Sequence, residues 1–317
     1  MLKKGDTIGI IALSGNCDKK KLELAKANIE ALGYNVRLSM NIIDQSRYLA
    51  GSDEDKVREL ERFFKDNEIK LILCARGGYG AIRLINKIDY SILKANPKPF
   101  CGFSDVTALL LMIYRKTGIV TYHGPMACSD FGTNIEINPS PQPLSHKGRG
   151  ENLLSSPQTS YIGLVGEFSS TLQTFFKAIN EEPLRFEGTK IYKEGTAEGI
   201  LWGGNLATVV SLCGQDFIPY RDFIFFTEDL NEPVYKIDRM FQQMINIPQF
   251  KKYCKGIVLG DFLDTDNDGW LEEYFNELSE RLQIPITGGF KITHGKEKIT
   301  LPIGKNARLD GKKLIID

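Results

Sequence analysis

The sequence predicts an α/β protein with a mostly parallel, doubly wound N-terminal domain followed by a smaller, mixed α/β C-terminal domain. Strand-like and helix-like patterns alternate through the first third of the chain, and a polar stretch rich in proline and glycine at 138–150 then interrupts them. A chain of 317 residues is long enough for two cores. We expect domains at 1–135 and 167–317, joined by a linker or insertion at 136–166.

The N-terminal part repeats a strand followed by a helix. Apolar runs predict the strands, and apolar residues at helical spacing predict the helices, with Gly33 and Gly118 as stop signals and Ser52 as a cap. Strands are expected at 7–13, 34–38, 69–74, 98–103 and 119–123, and helices at 19–32, 52–67, 80–88 and from 106 to Gly118. Such units form a parallel sheet that binds ligands beyond the carboxyl ends of its strands.

The sequence after the polar stretch mixes helices and strands less regularly. The expected helices are 169–180, 205–213, 235–244 and 271–282, and the expected strands are 198–202, 223–227, 256–262, 298–301 and 307–316. The last of these strands contains Asp310-Gly311, a dipeptide typical of a hairpin turn. This order predicts a second α/β or α+β domain.

Composition excludes several classes of protein. Forty basic and forty acidic residues give no net charge, and no basic cluster suggests a nucleic-acid surface. The apolar run at 8–13 is too short for a signal peptide, and no stretch approaches the roughly 20 apolar residues of a membrane helix. Six scattered cysteines without a C-x-x-C pair indicate neither a zinc site nor a disulfide framework. We expect a cytoplasmic protein that binds neither nucleic acid nor membranes.

The run Cys101 to Ala108 places Ser104 on a sharp turn between an apolar strand and an apolar helix. A serine there is exposed at the carboxyl edge of a sheet, beside backbone N–H groups at a helix N-terminus. This is the arrangement of a nucleophile elbow, although Val106 stands where the full G-x-S-x-G pattern has glycine. The alternative is a serine that only caps the helix.

An activated serine needs a base, and histidine is the most common one near neutral pH. The chain has three histidines: His123 at the end of a strand, His146 in the polar stretch, and His294 in a loop flanked by glycines. The base in turn needs an acceptor that fixes its tautomer. Glu228 and Asp229, directly after an apolar strand, offer one, although acidic residues at strand ends are common.

Acyl transfer also needs donors for the oxyanion, usually backbone N–H groups. The N–H of Asp105 is one candidate, and the loop Arg76–Gly80 after the strand at 69–74 is the other, because its glycines let the backbone approach a ligand closely. The same loop could cradle a phosphate, but it lacks the Lys-Ser/Thr pair of a P-loop.

Residues Asp264 to Gly269 begin like a calcium-binding loop, with acidic residues at positions one, three and five and glycine at position six. Position twelve is Phe275, where a calcium loop has its bidentate glutamate. We therefore favour an acidic turn that leads into a helix, and we expect no metal.

Taken together, these motifs resemble the LD-carboxypeptidases, a serine peptidase family that includes the microcin C immunity peptidases. The resemblance covers nearly the whole chain, and its specificity comes from eight motifs in the right order. They are Gly5–Ile8, Ala75–Gly80, Gly102–Asp105, Tyr122–Pro125, Leu201–Leu206, Glu228–Pro233, Ile257–Gly260, and His294-Gly295 followed by Leu301–Gly304. The stretch at 138–150 is not part of the family pattern.

The resemblance implies a Ser–Glu–His triad of Ser104, Glu228 and His294 in a cleft between the two domains, with the backbone N–H groups of Gly78 and Asp105 as oxyanion donors. It implies removal of the terminal D-alanine from a muropeptide tetrapeptide during cytoplasmic cell-wall recycling, by a homodimer that needs no metal or cofactor. The bond cut joins the L-centre of a diamino acid to D-alanine. A terminal carboxylate needs a cation, for which Arg76 is the leading candidate, with a structural salt bridge as its alternative role.

Two other functions remain open at this point. A peptidase acting on a nucleotide-peptide antibiotic of the microcin C type would share the triad but needs an aromatic platform for the base, such as Trp202 or Trp270. A non-catalytic protein could instead hold a cell-wall peptide in the cleft. Release of free D-alanine from a tetrapeptide distinguishes the enzyme from the binding protein.

Overall fold

The computed structural model describes residues 1–133, 169–265 and 269–317. The predicted linker at 136–166, the polar stretch at 138–150 and His146 lie outside the described residues. In chain order the strands are β1 Thr7–Ile11, β2 Asn35–Leu38, β3 Ile69–Cys74, β4 Phe100–Gly102, β5 Thr121–His123, β6 Leu184–Glu187, β7 Lys190–Lys193, β8 Thr196–Asn205, β9 Phe223–Leu230, β10 Cys254–Leu263, β11 Ile286–Gly288, β12 Leu301–Ile303, β13 Asn306–Asp310 and β14 Lys313–Ile316. The helices are α1 Lys19–Ala31, α2 Asp53–Lys65, α3 Tyr90–Ala95, α4 Thr107–Thr117, α5 Ser170–Ile179, α6 Leu206–Ser211, α7 Val234–Ile245, α8 Pro248–Tyr253 and α9 Trp270–Leu282.

The first sheet has the strand order β12-β5-β4-β3-β1-β2. Its five N-terminal strands pair in parallel, as the repeated strand–helix units predict. Its strands are mostly apolar and buried, except the edge strand β2, as expected for a parallel sheet with helices on both faces. The loops that follow β1, β3, β4 and β5 meet at its carboxyl edge, where a ligand site is expected.

The second sheet has the order β6-β14-β13-β8-β9-β10-β11-β7. Strands β8 to β11 pair in parallel, and the outer strands pair antiparallel, so the mixed α/β character is confirmed. With eight strands in the described parts of the chain, it is the larger of the two sheets. Glu228 lies near the carboxyl end of β9, the strand beside β8 and β10.

Two C-terminal elements contact the N-terminal part of the chain. Strand β12 pairs antiparallel with β5, with Leu301 opposite His123. In helix α5, Phe175 contacts Phe131, their ring centroids 5.7 Å apart, and Phe176 stacks on Tyr34 at 5.5 Å. These contacts fasten the C-terminal part of the chain to the sheet that carries Ser104.

One expected helix is wrong. The 80–88 segment forms only a short 3-10 turn, Ala81–Arg83, and α3 begins after Asp89, whose carboxylate accepts a hydrogen bond from the Ser91 N–H. Gly80 has a φ of 131°, outside helical values, so it cannot be the first residue of a helix and only precedes the short 3-10 turn. The buried apolar residues Leu84 and Ile85 fill the core from turns instead.

Candidate active site

Ser104 occupies a strained turn between β4 and α4. Phe103 is extended, Ser104 has a φ of 61°, and a 3-10 turn over Ser104–Val106 leads directly into the helix. A non-glycine residue in the left-handed region costs on the order of 1–3 kcal/mol and persists only where its surroundings hold it. Gly102 permits the turn, because a Cβ on it would lie 2.8 Å from Val106 Cγ1. The predicted strand–turn–helix geometry is therefore present even though Val106 departs from the motif.

The glycine loop after β3 packs directly on the serine. A Cβ on Gly77 would lie 2.9 Å from Ser104 Cβ and 3.0 Å from its Oγ, so only glycine fits there without displacement. Asp105 fastens this loop, since its buried carboxylate accepts a hydrogen bond of 2.9 Å from the Ala81 N–H. Burial raises the pKa of Asp105, while hydrogen bonds and the nearby Lys56 ammonium oppose that rise. Gly78 adjoins Gly77 in the same loop.

Glu228 and His294 form a hydrogen-bonded pair. The Nδ1 of His294 lies 2.6 Å from Oε2 of Glu228, which is fully buried, whereas the His294 side chain is 15% exposed. A carboxylate can only accept, so Nδ1 carries the hydrogen and Nε2 is left with its lone pair. The carboxylate thus fixes the tautomer that a general base requires.

Phe103 links this pair to the serine turn. Its ring centroid lies 5.0 Å from that of His294 in an edge-to-face arrangement, so His294 sits beside the residue that precedes Ser104. Within the described part of the chain, no hydrogen bond joins the Ser104 hydroxyl to His294. Catalytic hydrogen bonds are often formed only with substrate bound, so the absence of this hydrogen bond is compatible with proton transfer between Ser104 and His294.

His123 is placed differently from His294. It lies at the end of β5, is almost fully buried, and its Nδ1 has no hydrogen-bond partner among the described residues. Burial, followed by repulsion from His294 and Lys298, lowers the pKa of His123 to about 3. Its ring packs against those of Phe103 and Phe226. His123 is therefore a neutral core residue behind the serine turn.

Of the two acidic residues at the end of β9, only Glu228 contacts His294. The carboxylate of Asp229 accepts hydrogen bonds of 2.8 Å from the Asn205 side chain and from the Ala207 and Leu230 N–H groups. Asp229 thereby fixes the start of α6. Burial raises its pKa to about 6, and these hydrogen bonds hold it lower than burial alone would.

A buried ion pair under Phe103 was not predicted from the sequence. Lys298 pairs with Asp130, both side chains are less than a tenth exposed, and the Lys298 ammonium lies 4.4 Å from the Phe103 ring centroid. This cation–π contact holds the ring that packs against both His123 and His294. No motif signals it, since Lys298 and Asp130 are 168 residues apart.

Two models of one protein family match this chain. The model of the LD-carboxypeptidase N-terminal domain matches residues 8–124, and that of the LD-carboxypeptidase C-terminal domain matches residues 198–309. The chain belongs to the LD-carboxypeptidase family. This membership confirms the resemblance drawn from the motifs and makes the chain a peptide hydrolase.

Individual relatives span nearly the whole length. The chain is 34% identical over 315 residues to the probable murein peptide carboxypeptidase of Bacillus subtilis strain 168, covering 98% of this chain and 90% of that protein. It is 27% identical over 332 residues to the microcin C7 self-immunity protein MccF of Escherichia coli, covering 98% and 92%. The crystal structure of muramoyltetrapeptide carboxypeptidase from Oxalobacter formigenes superposes with a TM-score of 0.79 at 25% identity, covering 98% and 97%. The α/β fold class is thereby confirmed.

Arg76, the predicted carboxylate-binding residue, is exposed beside the glycine loop. Its Nε donates to the Gly77 carbonyl at 3.2 Å, and a terminal nitrogen donates to the Asn16 carbonyl at 3.4 Å. No ion pair in the described ranges involves Arg76, so the structural salt bridge considered for it is not observed there.

The two tryptophans have unequal access to a ligand. Trp202 is fully buried, and its ring lies 5.1–5.7 Å from those of Phe217, Phe223 and Phe225. It is a core residue and presents no free face for a nucleobase. Trp270 is 56% exposed at the start of α9, next to Gly269.

The acidic turn is only partly described. Asp264 has a φ of 53°, and residues 266–268 lie outside the described residues. Within the parts of the chain that are described, no group of three or more metal-ligating side chains is found, and no helix is long and apolar enough to span a bilayer.

Proposed function

We propose that this chain is a serine-type LD-carboxypeptidase that removes the terminal D-alanine from muropeptide tetrapeptides. The observation that carries the proposal is the buried Glu228 carboxylate at 2.6 Å from His294 Nδ1, beside the strained turn of Ser104. The B. subtilis and O. formigenes relatives, named for murein and muramoyltetrapeptide carboxypeptidases, support this substrate class. We further propose a cytoplasmic homodimer acting in cell-wall recycling, with domains at 1–135 and 167–317.

In the proposed reaction, Ser104 Oγ attacks the carbonyl carbon of the bond before the terminal D-alanine. His294 Nε2 takes the hydroxyl proton, and the N–H groups of Gly78 and Asp105 donate to the oxyanion. When the tetrahedral intermediate collapses, the C–N bond breaks and His294 returns the proton to the leaving amine. A water molecule, deprotonated by His294, then hydrolyses the acyl-serine and regenerates the hydroxyl.

Glu228 supports this cycle by stabilising the imidazolium form of His294. Its Oε2 binds His294, and its Oε1 has no hydrogen-bond partner among the described residues. Water is excluded from the fully buried carboxylate, so its interaction with a proton on His294 is weakly screened. This arrangement favours proton transfer from the serine.

Restriction to the chain terminus requires a cation for the free carboxylate of the leaving residue. Arg76 is exposed beside Gly77 and carries no described ion pair, so its guanidinium is available to a carboxylate. Guanidinium and carboxylate form bidentate hydrogen bonds, which add orientation to the attraction between charges.

Hydrolysis of a microcin-type nucleotide-peptide is the runner-up, since the chain also resembles the microcin C7 self-immunity protein. That substrate class calls for an aromatic face that can stack on a base. Burial of Trp202 removes one of the two tryptophans considered for that role. We therefore place the muropeptide first. A protein that only binds a cell-wall peptide would not need the hydrogen-bonded pair of Glu228 and His294.

The test compares three peptides with the purified protein: a muropeptide tetrapeptide with free terminal D-alanine, its terminal amide, and a pentapeptide extended by one D-alanine. We expect D-alanine from the tetrapeptide, and a loss of at least about tenfold in kcat/KM for the amide, because Arg76 then faces no charge. Equal cleavage of all three would indicate an endopeptidase or amidase. Binding without cleavage would indicate the non-catalytic protein.

A further inference from the structure

A cavity of about 660 Å³ opens at the carboxyl edge of the first sheet, next to the glycine loop. Segments that follow β1, β2 and β3 surround it, which is the position expected for a ligand in a parallel sheet. Its lining residues are Gly15, Asn16, Gln45, Arg47, Tyr48, Arg76, Gly78 and Tyr79. The cavity therefore begins at Gly78, one residue from the contact between Gly77 and Ser104.

The cavity is cationic and has no acidic lining residue. Its two guanidiniums, Arg47 and Arg76, are both exposed, and neither has a carboxylate within ion-pair distance in the described ranges. A second cavity at the opposite edge of the sheet provides the contrast, because its lining Arg37 is paired with Asp66 and Glu68. Two unneutralised arginines on one cavity point to an anionic ligand.

Arg47 is held in place by a tight hairpin turn. Ser46 and Leu49 exchange two backbone hydrogen bonds of 2.9 and 3.0 Å, so Arg47 and Tyr48 form its two-residue tip. Arg47 has a φ of 58°, and the Gln45 side chain donates to its carbonyl at 3.0 Å. A strained left-handed arginine at a turn tip, where glycine would fit more easily, suggests that its side chain has a function.

Contacts between side chains tie this hairpin to the glycine loop. The Arg47 guanidinium lies 5.5 Å from the centroid of the Tyr48 ring, and Tyr48 packs edge-to-face on Tyr79 at 5.7 Å. Leu49 lies so close to Gly80 that a Cβ there would be 2.7 Å from its Cδ2. Because Tyr79 and Gly80 belong to the loop that packs on Ser104, Arg47 is positioned relative to the serine.

We propose that this cavity is the subsite for the leaving residue and that Arg47 binds its terminal carboxylate together with Arg76. The inference rests on the proposed function, and it assigns Arg47 a specificity role that no motif indicated. The ligand class is a peptide with a free C-terminal carboxylate. Two guanidiniums from separate segments can bind both oxygens of one carboxylate, so a chain without a free terminus would lose both contacts.

The experiment measures equilibrium binding by calorimetry in the Ser104→Ala background, where the tetrapeptide stays intact. Arg47→Gln should weaken binding of the free-acid tetrapeptide by about tenfold or more, because charged hydrogen bonds are lost. It should change binding of the terminal amide by less than about twofold. Arg47→Lys should recover part of the affinity for the free acid, since it restores the charge without the planar fork.

Arg58→Gln is the matched control, because it removes the same charge from an exposed arginine of α2 that does not line the cavity. It should leave both peptides unaffected. The proposal is overturned if Arg47→Gln weakens acid and amide equally, or neither. It is also overturned if Arg47→Gln instead abolishes binding of adenosine monophosphate, since the cavity would then be a phosphate site. Failure of the proposed function appears separately, as absent D-alanine release by the unmodified chain.

Discussion

Two histidine rings pack against Phe103, and their surroundings differ. His294 is partly exposed and donates through Nδ1 to Glu228, whereas His123 is buried with no partner at Nδ1 in the described residues. Burial penalises the charged form of His123 and keeps it neutral. We therefore propose that His294 alone exchanges a proton with Ser104.

The lowered pKa of His123 predicts a loss of stability in acid. Its pKa is about 3 in the fold and about 6.5 when unfolded, so between these values the unfolded chain binds more protons. Stability should thus fall as pH drops below about 6.5, by about 1.4 kcal/mol per pH unit from this residue. Urea unfolding at pH 7 and pH 5 measures the free energy of unfolding of the native chain and of His123→Gln. The native value minus the variant value should fall by about 2 kcal/mol at pH 5. If the free energies of unfolding of the two chains change equally with pH, the assignment of this pH dependence to His123 is contradicted.

Individual residues were predictable where they sat in a motif. Local patterns picked out Ser104 but left Glu228 or Asp229, and more than one histidine, open; the resemblance to the family selected Glu228 and His294, which the structure pairs. Lys298 and Arg47 belong to no such pattern. Their roles depend on a ring or a cavity formed by residues distant in sequence, so local reasoning could not find them.

The glycine loop and the serine turn act as one packed element. Gly77 approaches Ser104 so closely that any side chain would push the two apart. We expect Gly77→Ala to lower kcat/KM by at least about tenfold, because the serine and the donor N–H groups are displaced. The measurement is steady-state D-alanine release alongside thermal unfolding.

Gly5→Ala is the control for that change. Unlike Gly77, Gly5 has a positive φ of 88°, and a Cβ added to it would meet nothing within 4 Å. It should cost about 1 kcal/mol of stability and leave activity unchanged. A Gly77→Ala chain as active as the Gly5→Ala chain would show that the close packing on Ser104 has no catalytic importance.

Elements with a strong hydrophobic period were predicted well, and short or edge elements were not. Helices α1, α2, α7 and α9 match their expected positions within two residues. The short strands β6, β7 and β11 and the short helices α3 and α8 were missed, because three to six residues carry too little pattern. The prediction of a helix at 80–88 was wrong because Gly80 adopts a non-helical backbone conformation, which the sequence pattern does not reveal.

At the scale of the whole molecule, the two sheets are fastened together by C-terminal residues. Strand β12 extends the first sheet, and Lys298 forms a buried ion pair with Asp130. Long-range pairings of this kind have no sequence signature. The prediction of a separate C-terminal domain at 167–317 therefore did not include a strand of that segment in the first sheet. The domain boundaries stay a prediction, and the two family models end short of them, at residues 124 and 309.

The proposed chemistry predicts that activity does not depend on a metal ion. Ser104 supplies the nucleophile and His294 the base, so neither a metal-bound water nor a Lewis acid is required. Exhaustive dialysis against EDTA should leave the rate of D-alanine release within about twofold. Loss of activity that zinc or calcium restores would contradict this mechanism. Restoration by calcium would indicate an ion site at the acidic turn 264–269.

The central claim is that Ser104, Glu228 and His294 act as one catalytic unit on a muropeptide tetrapeptide. The most direct measurement compares D-alanine release by the native chain, by Ser104→Ala, Glu228→Gln and His294→Ala, and by the Ser104→Ala/His294→Ala double variant. We expect each single change to lower kcat by about 10³-fold or more, and the double variant to be no slower than the slower single one. A folded single variant within about tenfold of the native rate, or losses that multiply in the double variant, would contradict the account.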